Sequence, residues 1–513
     1  MVAAKATSHS LCARLYAQVV AKPSSTNPES GGQEDRAPGA ERRVRLLAQA
    51  HTALHAHDGL FGSLAERFAD QGHQLYLVGG SVRDALLGRL GDDLDFTTDA
   101  RPEHTQKLLR GWAEEMWDTG IAFGTVGALK NGNKLEITTF RKDDYDQSSR
   151  NPAVDFGTDL RTDLTRRDFR MNAMAVSLTA QGCGEFVDPL GGLEDVLAGR
   201  IDTPDTPEIS FGDDPLRMLR AARFAAQLGF TWSPRVARAT VDMAGEITRI
   251  TAERVGAELQ KLIVGEHAVE GVELLVDSGL AEFVLPEVPQ LQLATDAAHH
   301  HKDVYRHSLA VLGNAMALEP GDPDPVLRWA ALLHDIGKPA TRRFEAGGAV
   351  SFHHHEVVGA KLARKRLRAL AFPKHMVEDV GKLVFLHMRF YGYGEQSWTD
   401  SAVRRYVVDA GELLPKLNLL VRADCTTRNA RRSRQLAAAY DRFEERIAKL
   451  AEAEDLAKVR PDLDGNAIME ILGIGPGRAV GEAWHHLKEL RLEHGPLDPQ
   501  EAKRHLLDWW AKR

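Results

Sequence analysis

The chain has 513 residues, of which 43% are hydrophobic and 27% charged, and it carries a net charge of −8 at pH 7. No run approaches the roughly 18 consecutive apolar residues of a membrane-spanning helix, and three widely separated cysteines (Cys12, Cys183 and Cys425) argue against a disulfide framework. The length predicts about three or four units of an ordinary globular protein in the cytoplasm, and the acidic balance mildly disfavours a general nucleic-acid binder.

The N-terminal segment 1–42 is predicted to be a disordered tail, because its Pro-, Ser- and Gly-rich sequence follows neither a helical nor a strand period. Residues 1–28 contain few acids but only faintly resemble a transit peptide. Apolar spacing then predicts two helices, at about 43–55 and 59–70.

Strand and helix signals alternate through the next part of the chain. The apolar run at 74–78 predicts a strand that ends at a Gly-Gly turn, and 82–90 predicts a helix. Further strands are predicted at 95–97, 125–129 and 134–140, with strand-like pieces up to residue 187. From residue 213 to the C-terminus, apolar residues recur every three or four positions. The sequence therefore predicts an α+β head followed by an all-helical body.

The Gly-Gly turn is a candidate phosphate-binding site. Gly79 and Gly80 end the predicted strand and Ser81 begins a helix, which gives bare backbone N–H groups at a helix N-terminus. Two glycines alone are weak evidence, since their spacing fits neither the Rossmann nor the P-loop fingerprint.

Two aspartates follow this turn. Asp93 and Asp95 are two positions apart, so on an extended segment their side chains share one face. Such carboxylates repel each other unless a cation lies between them, and Mg²⁺ prefers carboxylates together with substrate phosphates. Glu136, on the predicted strand 134–140, would complete the site. These three residues are predicted to be catalytic, with Asp93 and Asp95 as Mg²⁺ ligands in two-metal phosphoryl transfer.

The run LVGGSVRDALLGRLGDDLDFTTDA, from Leu77 to Ala100, resembles the signature of the tRNA CCA-adding and bacterial poly(A) polymerase branch of the nucleotidyltransferase superfamily. Four later segments resemble this family's motifs in the same order: DLTRRDFRMNA at 163–173, DPLGGLEDVLAGR at 188–200, DDPLRMLRAARF at 213–224 and TAERVGAEL at 251–259. Asp213 stands where the family usually has Glu. The resemblance implies a nucleotidyltransferase head with a small mixed β-sheet, Mg²⁺ as cofactor, and ATP, CTP and tRNA as binding partners.

The resemblance also implies which residues bind the nucleotide. In this family Arg167, Asp168 and Asn172 would contact the triphosphate and the sugar. Arginine forks match phosphate oxygens, and the further arginines predicted to grip the triphosphate are Arg83, Arg254 and, as a weaker candidate, Arg220.

Asp214 and Arg217 are predicted to select the incoming base. They are three positions apart on a predicted helix, so both side chains would project from one side. In the resembling enzymes such a pair replaces a nucleic-acid template, because one acceptor and one donor fit the edges of cytosine and adenine. The alternative is an ordinary surface ion pair.

A second motif lies in the helical body. LLHDIGKPAT at 332–341 contains His334 and Asp335, with His307 upstream and Asp424 downstream. This order resembles that of the HD phosphohydrolase superfamily, and imidazole and carboxylate ligands suit a divalent transition metal or Mg²⁺. The four residues are therefore predicted metal ligands. The resemblance implies hydrolysis of a phosphate at damaged tRNA ends, and a purely structural domain is the competing interpretation.

Other histidines surround this motif in the sequence. His355 is a candidate for a second metal or for the substrate, whereas His353, His354 and His387 are expected to be exposed to solvent. The histidines at 299–301 are predicted to lie in a surface loop. Two basic clusters, at 361–368 and 428–434, are interpreted as solvated helix faces, with contact to a phosphate backbone as the alternative.

The sequence thus predicts five segments: a disordered tail (1–42), a nucleotidyltransferase head (43–200), a helical neck that selects nucleotides and binds RNA (201–290), an HD domain (291–435) and a helical tRNA-binding tail (436–513). It does not indicate the oligomeric state.

Two alternative functions remain open at this point. A poly(A) polymerase would share the head motifs, although FGTVGALKNGN at 123–133 is closer to the CCA-adding pattern. A metal-dependent HD phosphohydrolase whose head only binds RNA would not need both carboxylates of the Asp93–Asp95 pair.

Overall fold

The structure of the protein is a computed structural model. It describes residues 38–144, 153–157, 159–293, 303–345, 350–390, 398–426, 429–454 and 460–513. The predicted N-terminal tail lies almost entirely outside these residues, as do the predicted loop at 299–301 and Arg428. Among the described helices, none has the length and apolar character needed to cross a membrane.

The chain divides into two compact units, with the boundary between Arg249 and Ile250. The strands of the first unit are β1 (Leu75–Val78), β2 (Asp93–Thr98), β3 (Glu115–Trp117), β4 (Thr125–Lys130), β5 (Asn133–Thr139), β6 (Arg141–Asp144), β7 (Ala153–Phe156), β8 (Ala175–Thr179), β9 (Gly182–Val187), β10 (Arg200–Ile201) and β11 (Thr231–Trp232). Its α-helices are α1 (Pro38–His55), α2 (Asp58–Ala69), α3 (Gly80–Leu86), α4 (Pro102–Leu109), α5 (Leu160–Thr165), α6 (Gly192–Ala198), α7 (Pro207–Asp213), α8 (Leu216–Leu228) and α9 (Pro234–Met243).

Among the described residues of the second unit, the only strands are β12 (Arg343–Phe344) and β13 (Val350–Ser351), which pair with each other, and the other elements are helices. Its α-helices are α10 (Ala252–Ile263), α11 (Ala268–Asp277), α12 (Leu280–Val284), α13 (Val304–Leu318), α14 (Pro325–Leu333), α15 (Lys338–Thr341), α16 (His355–Ala369), α17 (Lys374–Leu386), α18 (Asp400–Ala410), α19 (Leu414–Ala423), α20 (Ala430–Glu454), α21 (Gly465–Leu472), α22 (Arg478–His494) and α23 (Pro499–Ala511). Short 3-10 helices in the two units span Ile121–Phe123, Arg170–Asn172, Ala244–Arg249, Pro289–Leu291, His387–Phe390 and Gly411–Leu413.

Seven strands of the first unit form one mixed sheet in the order β3-β4-β5-β2-β1-β8-β9. The central β2 and β5 run parallel, whereas the other neighbouring pairs are antiparallel. This arrangement confirms the predicted α+β head with a mixed sheet.

Alternating side chains explain why β5 forms a strand with one buried face. Leu135 and Ile137 are fully buried, while Lys134, which precedes them, and Glu136, which lies between them, are exposed. A period of two fits a pleated strand that covers the core on one side only. Helix α2 packs on β8 and β9 and brings its buried Phe61 into contact with Phe96 of β2. The polar face of β2 and β5 is thereby left for chemistry.

In the second unit, a helical bundle carries the predicted HD motif. Helices α13, α14, α16, α17 and α19 pack on one another, and Trp329 of α14 is almost fully buried among them. The C-terminal helices α21, α22 and α23 form a smaller core around Ile468, Leu487 and Leu506. The helical body and the helical tail were both predicted from the apolar spacing.

Candidate functional site

The predicted carboxylates lie together on the polar face of the sheet. Parallel pairing places Asp95 beside Glu136 and Asp93 beside Lys134, whose Nζ is 3.9 Å from the Asp93 carboxylate. Leu94, between the two aspartates, points into the core. Because side chains alternate along a strand, Asp93 and Asp95 share one face, and Glu136 joins them from β5.

The carboxyl group of Asp95 is the most buried of the three. Burial raises its pKa to about 6, and although Arg167 and Arg83 favour the charged form, Glu136 and Asp93 oppose it. A cation among these oxygens would stabilise the ionised carboxylates, and hard oxygen ligands are the donors that Mg²⁺ prefers. The residues present therefore fit the predicted metal, with Asp93 and Asp95 as its ligands.

The Gly-Gly-Ser turn holds the aspartates in place and leaves space beside them. Gly79 has a φ of +68°, and a β-carbon there would lie 3.0 Å from Arg167 Nη1 and 3.5 Å from Asp95 Oδ2. Ser81 is buried, and its Oγ accepts a hydrogen bond from the Asp95 N–H (2.9 Å) and donates one to the Asp93 carbonyl (3.4 Å). The hydroxyl thus fixes the backbone of both aspartates, a role that the sequence did not indicate.

Four residues assigned to nucleotide binding form one hydrogen-bond chain. Arg83 Nη1 donates to Asn172 Oδ1 (2.6 Å), Asn172 Nδ2 donates to Asp168 Oδ1 (3.0 Å), and Arg220 Nε donates to Asp168 Oδ2 (2.9 Å). Burial alone would raise the pKa of Asp168, but Arg220, Asn172 and Arg217 outweigh it and hold that pKa well below its usual range. Asp168 is therefore a charged anchor for two of the predicted arginines.

Arg167 links this region to the carboxylates. Its Nη2 donates to Asp163 (3.1 Å), a fully buried carboxylate whose pKa is lowered because Arg167 and Arg166 outweigh the effect of burial. Within the described residues, the buried Nε of Arg167 has no hydrogen-bond partner. Asp163 is the first residue of the DLTRRDFRMNA segment, and the structure identifies it as the residue that holds Arg167.

The prediction that Asp214 and Arg217 share one helix is wrong. Asp214 follows α7 in an extended conformation (φ −140°, ψ 99°), and α8 begins only at Leu216. The physical reason is Pro215, because a proline disfavours helical backbone in the residue before it. Arg217, on α8, is buried and donates to Ser210 Oγ (2.8 Å) and to the Arg166 carbonyl (2.7 Å). Its guanidinium is held in a fixed orientation.

The last arginine predicted to bind the triphosphate, Arg254, lies on α10 in the second unit, where it is exposed. Nucleotide binding by these arginines, and base selection by Asp214 and Arg217, stay predictions.

The four predicted HD ligands converge in the second unit. His307 Nε2 lies 2.9 Å from Asp424 Oδ1 and 3.3 Å from His334 Nε2, and His334 Nε2 lies 3.7 Å from the same Asp424 oxygen. Asp335 Oδ2 lies 3.2 Å from His334 Nε2. Imidazole nitrogens and carboxylate oxygens at these separations form a candidate metal centre.

A second group of ligands adjoins the first one. Asp335 Oδ1 lies 3.3 Å from His355 Nε2 and 3.9 Å from His387 Nε2, so the two Asp335 oxygens face different groups. The expectation that His387 is exposed is wrong, because the end of α17 buries it. The apolar run KLVFL before it was the available signal. His353 and His354 are exposed, as expected.

Backbone carbonyls fix the tautomers of the three buried histidines. Each Nδ1 lies within hydrogen-bonding distance of the carbonyl three residues earlier: His334 with Ala331 (2.8 Å), His355 with Phe352 (2.9 Å) and His387 with Val384 (2.6 Å). A carbonyl only accepts, so Nδ1 carries the proton and each Nε2 keeps a free lone pair toward the cluster. Burial lowers the pKa of His387 to about 4, which keeps it neutral at pH 7.

Comparison with known proteins gives three family matches along the chain. Residues 75–202 match the poly A polymerase head domain, and residues 229–291 match the probable RNA- and SrmB-binding site of polymerase A. Residues 304–457 match the HD domain, which extends past the predicted boundary at residue 435.

Individual relatives cover most of the chain. The A-adding tRNA nucleotidyltransferase of Deinococcus radiodurans is 34% identical over 444 residues, which are 84% of this chain and 95% of that protein. The CC-adding tRNA nucleotidyltransferase of Thermus thermophilus is 32% identical over 447 residues, 85% of this chain and 94% of that protein. The crystal structure of the Bacillus stearothermophilus CCA-adding enzyme in complex with CTP is 25% identical, with a TM-score of 0.61 over 89% of this chain and 98% of that one. The chain belongs to the tRNA nucleotidyltransferase family, with a poly(A) polymerase-type head and an HD domain.

Proposed function

We propose that the protein adds CMP, CMP and AMP, from CTP and ATP, to the 3′ end of tRNA, in CCA synthesis and repair. The observation that carries this proposal is the trio Asp93, Asp95 and Glu136 on one face of the sheet, beside the space next to Gly79 and Arg167. The family membership of the chain supports the same activity.

In the proposed reaction the tRNA 3′-hydroxyl attacks the α-phosphorus of the nucleotide, a new P–O bond forms, and the bond to pyrophosphate breaks. Mg²⁺ held by Asp93 and Asp95 would supply activation of the hydroxyl and stabilisation of the leaving group. Arg167 and the Arg83–Asn172–Asp168–Arg220 chain would orient the triphosphate and sugar. Asp214 would accept from the amino group of cytosine or adenine, while Arg217 would donate to the neighbouring acceptor.

Addition of only part of CCA is the second candidate function. The observation that favours it is that the two relatives reported over nearly their full length are named A-adding and CC-adding enzymes. Both of these relatives act on tRNA by their names, which disfavours both a poly(A) polymerase and an HD phosphohydrolase with a head that only binds RNA.

The test uses three tRNA transcripts that end before CCA, after the first C or after CC, with CTP and ATP given singly and together. CCA addition predicts growth by two nucleotides with CTP and by a third only when ATP is present. Extension of the CC-ended transcript alone would indicate an A-adding enzyme, and arrest after CC with both nucleotides a CC-adding one. A long ladder with ATP alone would indicate a poly(A) polymerase. Asp95→Asn is the inactive control.

For the second unit, we infer that the HD site hydrolyses 3′-phosphates or 2′,3′-cyclic phosphates at RNA ends. His307, His334 and Asp424 would hold one divalent metal, His355 and His387 a second, with Asp335 between them. Bound transition metals would supply activation of water and stabilisation of charge on the phosphate. Water adds to phosphorus, the bond to the ribose oxygen breaks, and that oxygen takes a proton to become the hydroxyl. Lys338 Nζ, 2.6 Å from Asp335, is a further cation at this site.

The test for the HD site is release of inorganic phosphate, or opening of the cyclic ester, from phosphorylated RNA ends with Mg²⁺, Mn²⁺, Co²⁺ or Ni²⁺. The metal content of the purified chain should approach two ions for this site. Asp335→Asn should lose both properties, and activity that persists in this variant would reject the assignment.

We also propose roles for the helical segments outside the two sites and a location for the protein. The neck (201–290) and the tail (436–513) would bind the tRNA body. A cytoplasmic location is supported by the unpaired Cys183 and Cys425.

A further inference from the structure

Helix α20 carries three arginines in its first two turns that the fold does not neutralise. Arg431, Arg432 and Arg434 are exposed, and within the described residues their guanidinium groups have neither an ion pair nor a hydrogen bond. The backbone N–H groups of Arg431 and Arg432 donate to Asn429 Oδ1 (3.0 and 3.1 Å), so the start of the helix is capped. The first acidic residue of the helix is Asp441.

The other basic cluster of the second unit behaves differently. Arg364 and Arg368 of α16 bind Glu378 (2.8 and 2.7 Å), and Arg366 binds Glu287 (2.8 Å). The arginines of this cluster are ion-paired on the helix surface, whereas those of the α20 cluster keep their positive charge.

The stability of α20 does not explain the three arginines. Cations near a helix N-terminus face the positive end of the macrodipole, which destabilises the helix. Exposed side chains gain little packing energy in return. A surface that concentrates like charge at such a position is suited to a polyanion.

The cluster follows directly on the HD centre in the chain. Asp424 is a predicted metal ligand, and Thr426 Oγ1 lies 3.0 Å from His307 Nδ1. Arg431 comes five residues after Thr426, so their Cα atoms lie within roughly 18 Å of each other at about 3.6 Å per residue. Farther along α20, Tyr440 donates to the Val421 carbonyl (3.0 Å), which ties the helix to the end of α19.

We propose that Arg431, Arg432 and Arg434 form a docking surface for the phosphate backbone of a single-stranded RNA 3′ end whose terminal phosphate enters the HD centre. The inference rests on the hydrolytic function proposed above and adds the surface that would hold the RNA strand during hydrolysis. Phosphate contacts of this kind position a strand without reading its sequence.

The experiment compares the full chain with the triple variant Arg431→Gln, Arg432→Gln, Arg434→Gln. The matched control removes three exposed arginines of the first unit, Arg42→Gln, Arg45→Gln and Arg110→Gln, which changes the net charge equally. Each protein receives a short RNA with a 3′-phosphate and bis(p-nitrophenyl) phosphate in separate reactions. The ratio of kcat/KM for RNA to that for the small ester should fall at least tenfold in the triple variant only. In the triple variant, the slope of log kcat/KM for RNA against log salt concentration should become shallower by about 2, because each of the three lost phosphate contacts contributes ~0.7.

A second readout does not depend on hydrolysis. The same RNA, with 4-thiouridine near its 3′ end, should cross-link to the peptide that contains the start of α20 in the full chain and in the control, but not in the triple variant. Cross-linking without any hydrolysis by the full chain would reject the hydrolytic function and uphold the docking surface. An unchanged rate ratio together with unchanged cross-linking would overturn the docking surface.

Discussion

At the scale of single residues, the Ser81 hydroxyl positions the backbone of Asp93 and Asp95, the predicted catalytic carboxylates. Ser81 accepts from the Asp95 N–H and donates to the Asp93 carbonyl, so one side chain joins the start of α3 to the strand that carries both aspartates. Hydrogen bonds from residues that do not themselves bind a metal orient the groups that do.

Ser81→Ala should lower the rate of CMP addition by about 10–100-fold and raise the Mg²⁺ concentration for half-maximal activity. The buried Asp95 N–H would lose its partner, which costs about 1–3 kcal/mol of folding free energy. Ser177→Ala is the matched control, since Ser177 Oγ also accepts from a backbone N–H, that of Glu185 at 2.7 Å. An equal loss of activity in both variants would show that only general stability was affected.

Phe224 positions the arginines of the nucleotide site. The guanidinium carbons of Arg83, Arg220 and Arg223 lie 5.0, 5.6 and 3.8 Å from the centre of its ring. Each cation–π contact contributes about 0.5–2 kcal/mol, depending on desolvation. Arg83 and Arg220 hydrogen-bond to Asn172 and Asp168, so we expect the ring to affect nucleotide binding through these arginines.

Phe224→Leu should raise KM for both CTP and ATP by about tenfold, equivalent to ~1.4 kcal/mol, while kcat changes less. Phe68→Leu, a substitution of an equally buried ring in α2, is the control for lost packing. Steady-state kinetics and thermal unfolding of both variants test this. If KM rises equally in the two variants, Phe224 has only a packing role.

At the scale of elements, the sequence predicted those strands and helices that depend on a local pattern of residues. The strand at 134–140 is predictable because its β-rich sequence is a local signal. The shared face of Asp93 and Asp95 is predictable because side chains alternate along a strand. The break before α8 was missed although Pro215 signals it. The burial of His387 depends on how α17 packs against α14 and α16, which the apolar run before it suggests but does not determine.

A close contact between Gly337, which follows the His334–Asp335 pair, and helix α16 allows this packing to be tested. A β-carbon on Gly337 would lie 2.1 Å from the His355 carbonyl oxygen and 2.6 Å from the Gly359 nitrogen, so only glycine permits the approach that brings His355 to Asp335. Gly337→Ala should cost about 1–3 kcal/mol of stability and reduce the metal bound at the HD site. Gly321→Ala, with open space around its β-carbon, should change neither. Full metal occupancy in Gly337→Ala, measured by elemental analysis, would contradict this account.

At the scale of the whole molecule, the candidate ligands of each metal centre lie within a single unit. Asp93, Asp95 and Glu136 precede the boundary at Arg249, whereas all six HD ligands follow it. No residue is shared between the two sets, so their chemistry should be separable by substitution.

Asp95→Asn should reduce the rate of nucleotide addition by more than ~100-fold, because substitutions of residues that only orient a metal ligand reach about that loss. It should leave 3′-phosphate removal intact. Asp335→Asn should do the reverse, because it removes the carboxylate between the two HD ligand groups. Both activities are measured separately on the same tRNA, prepared once with a 3′-phosphate and once with a 3′-hydroxyl. A folded Asp335→Asn protein that fails to add CMP would mean that the HD centre supports nucleotide addition itself. Retention of addition would instead assign the two centres to successive steps, since the hydroxyl released by the second unit is the group that the first unit extends.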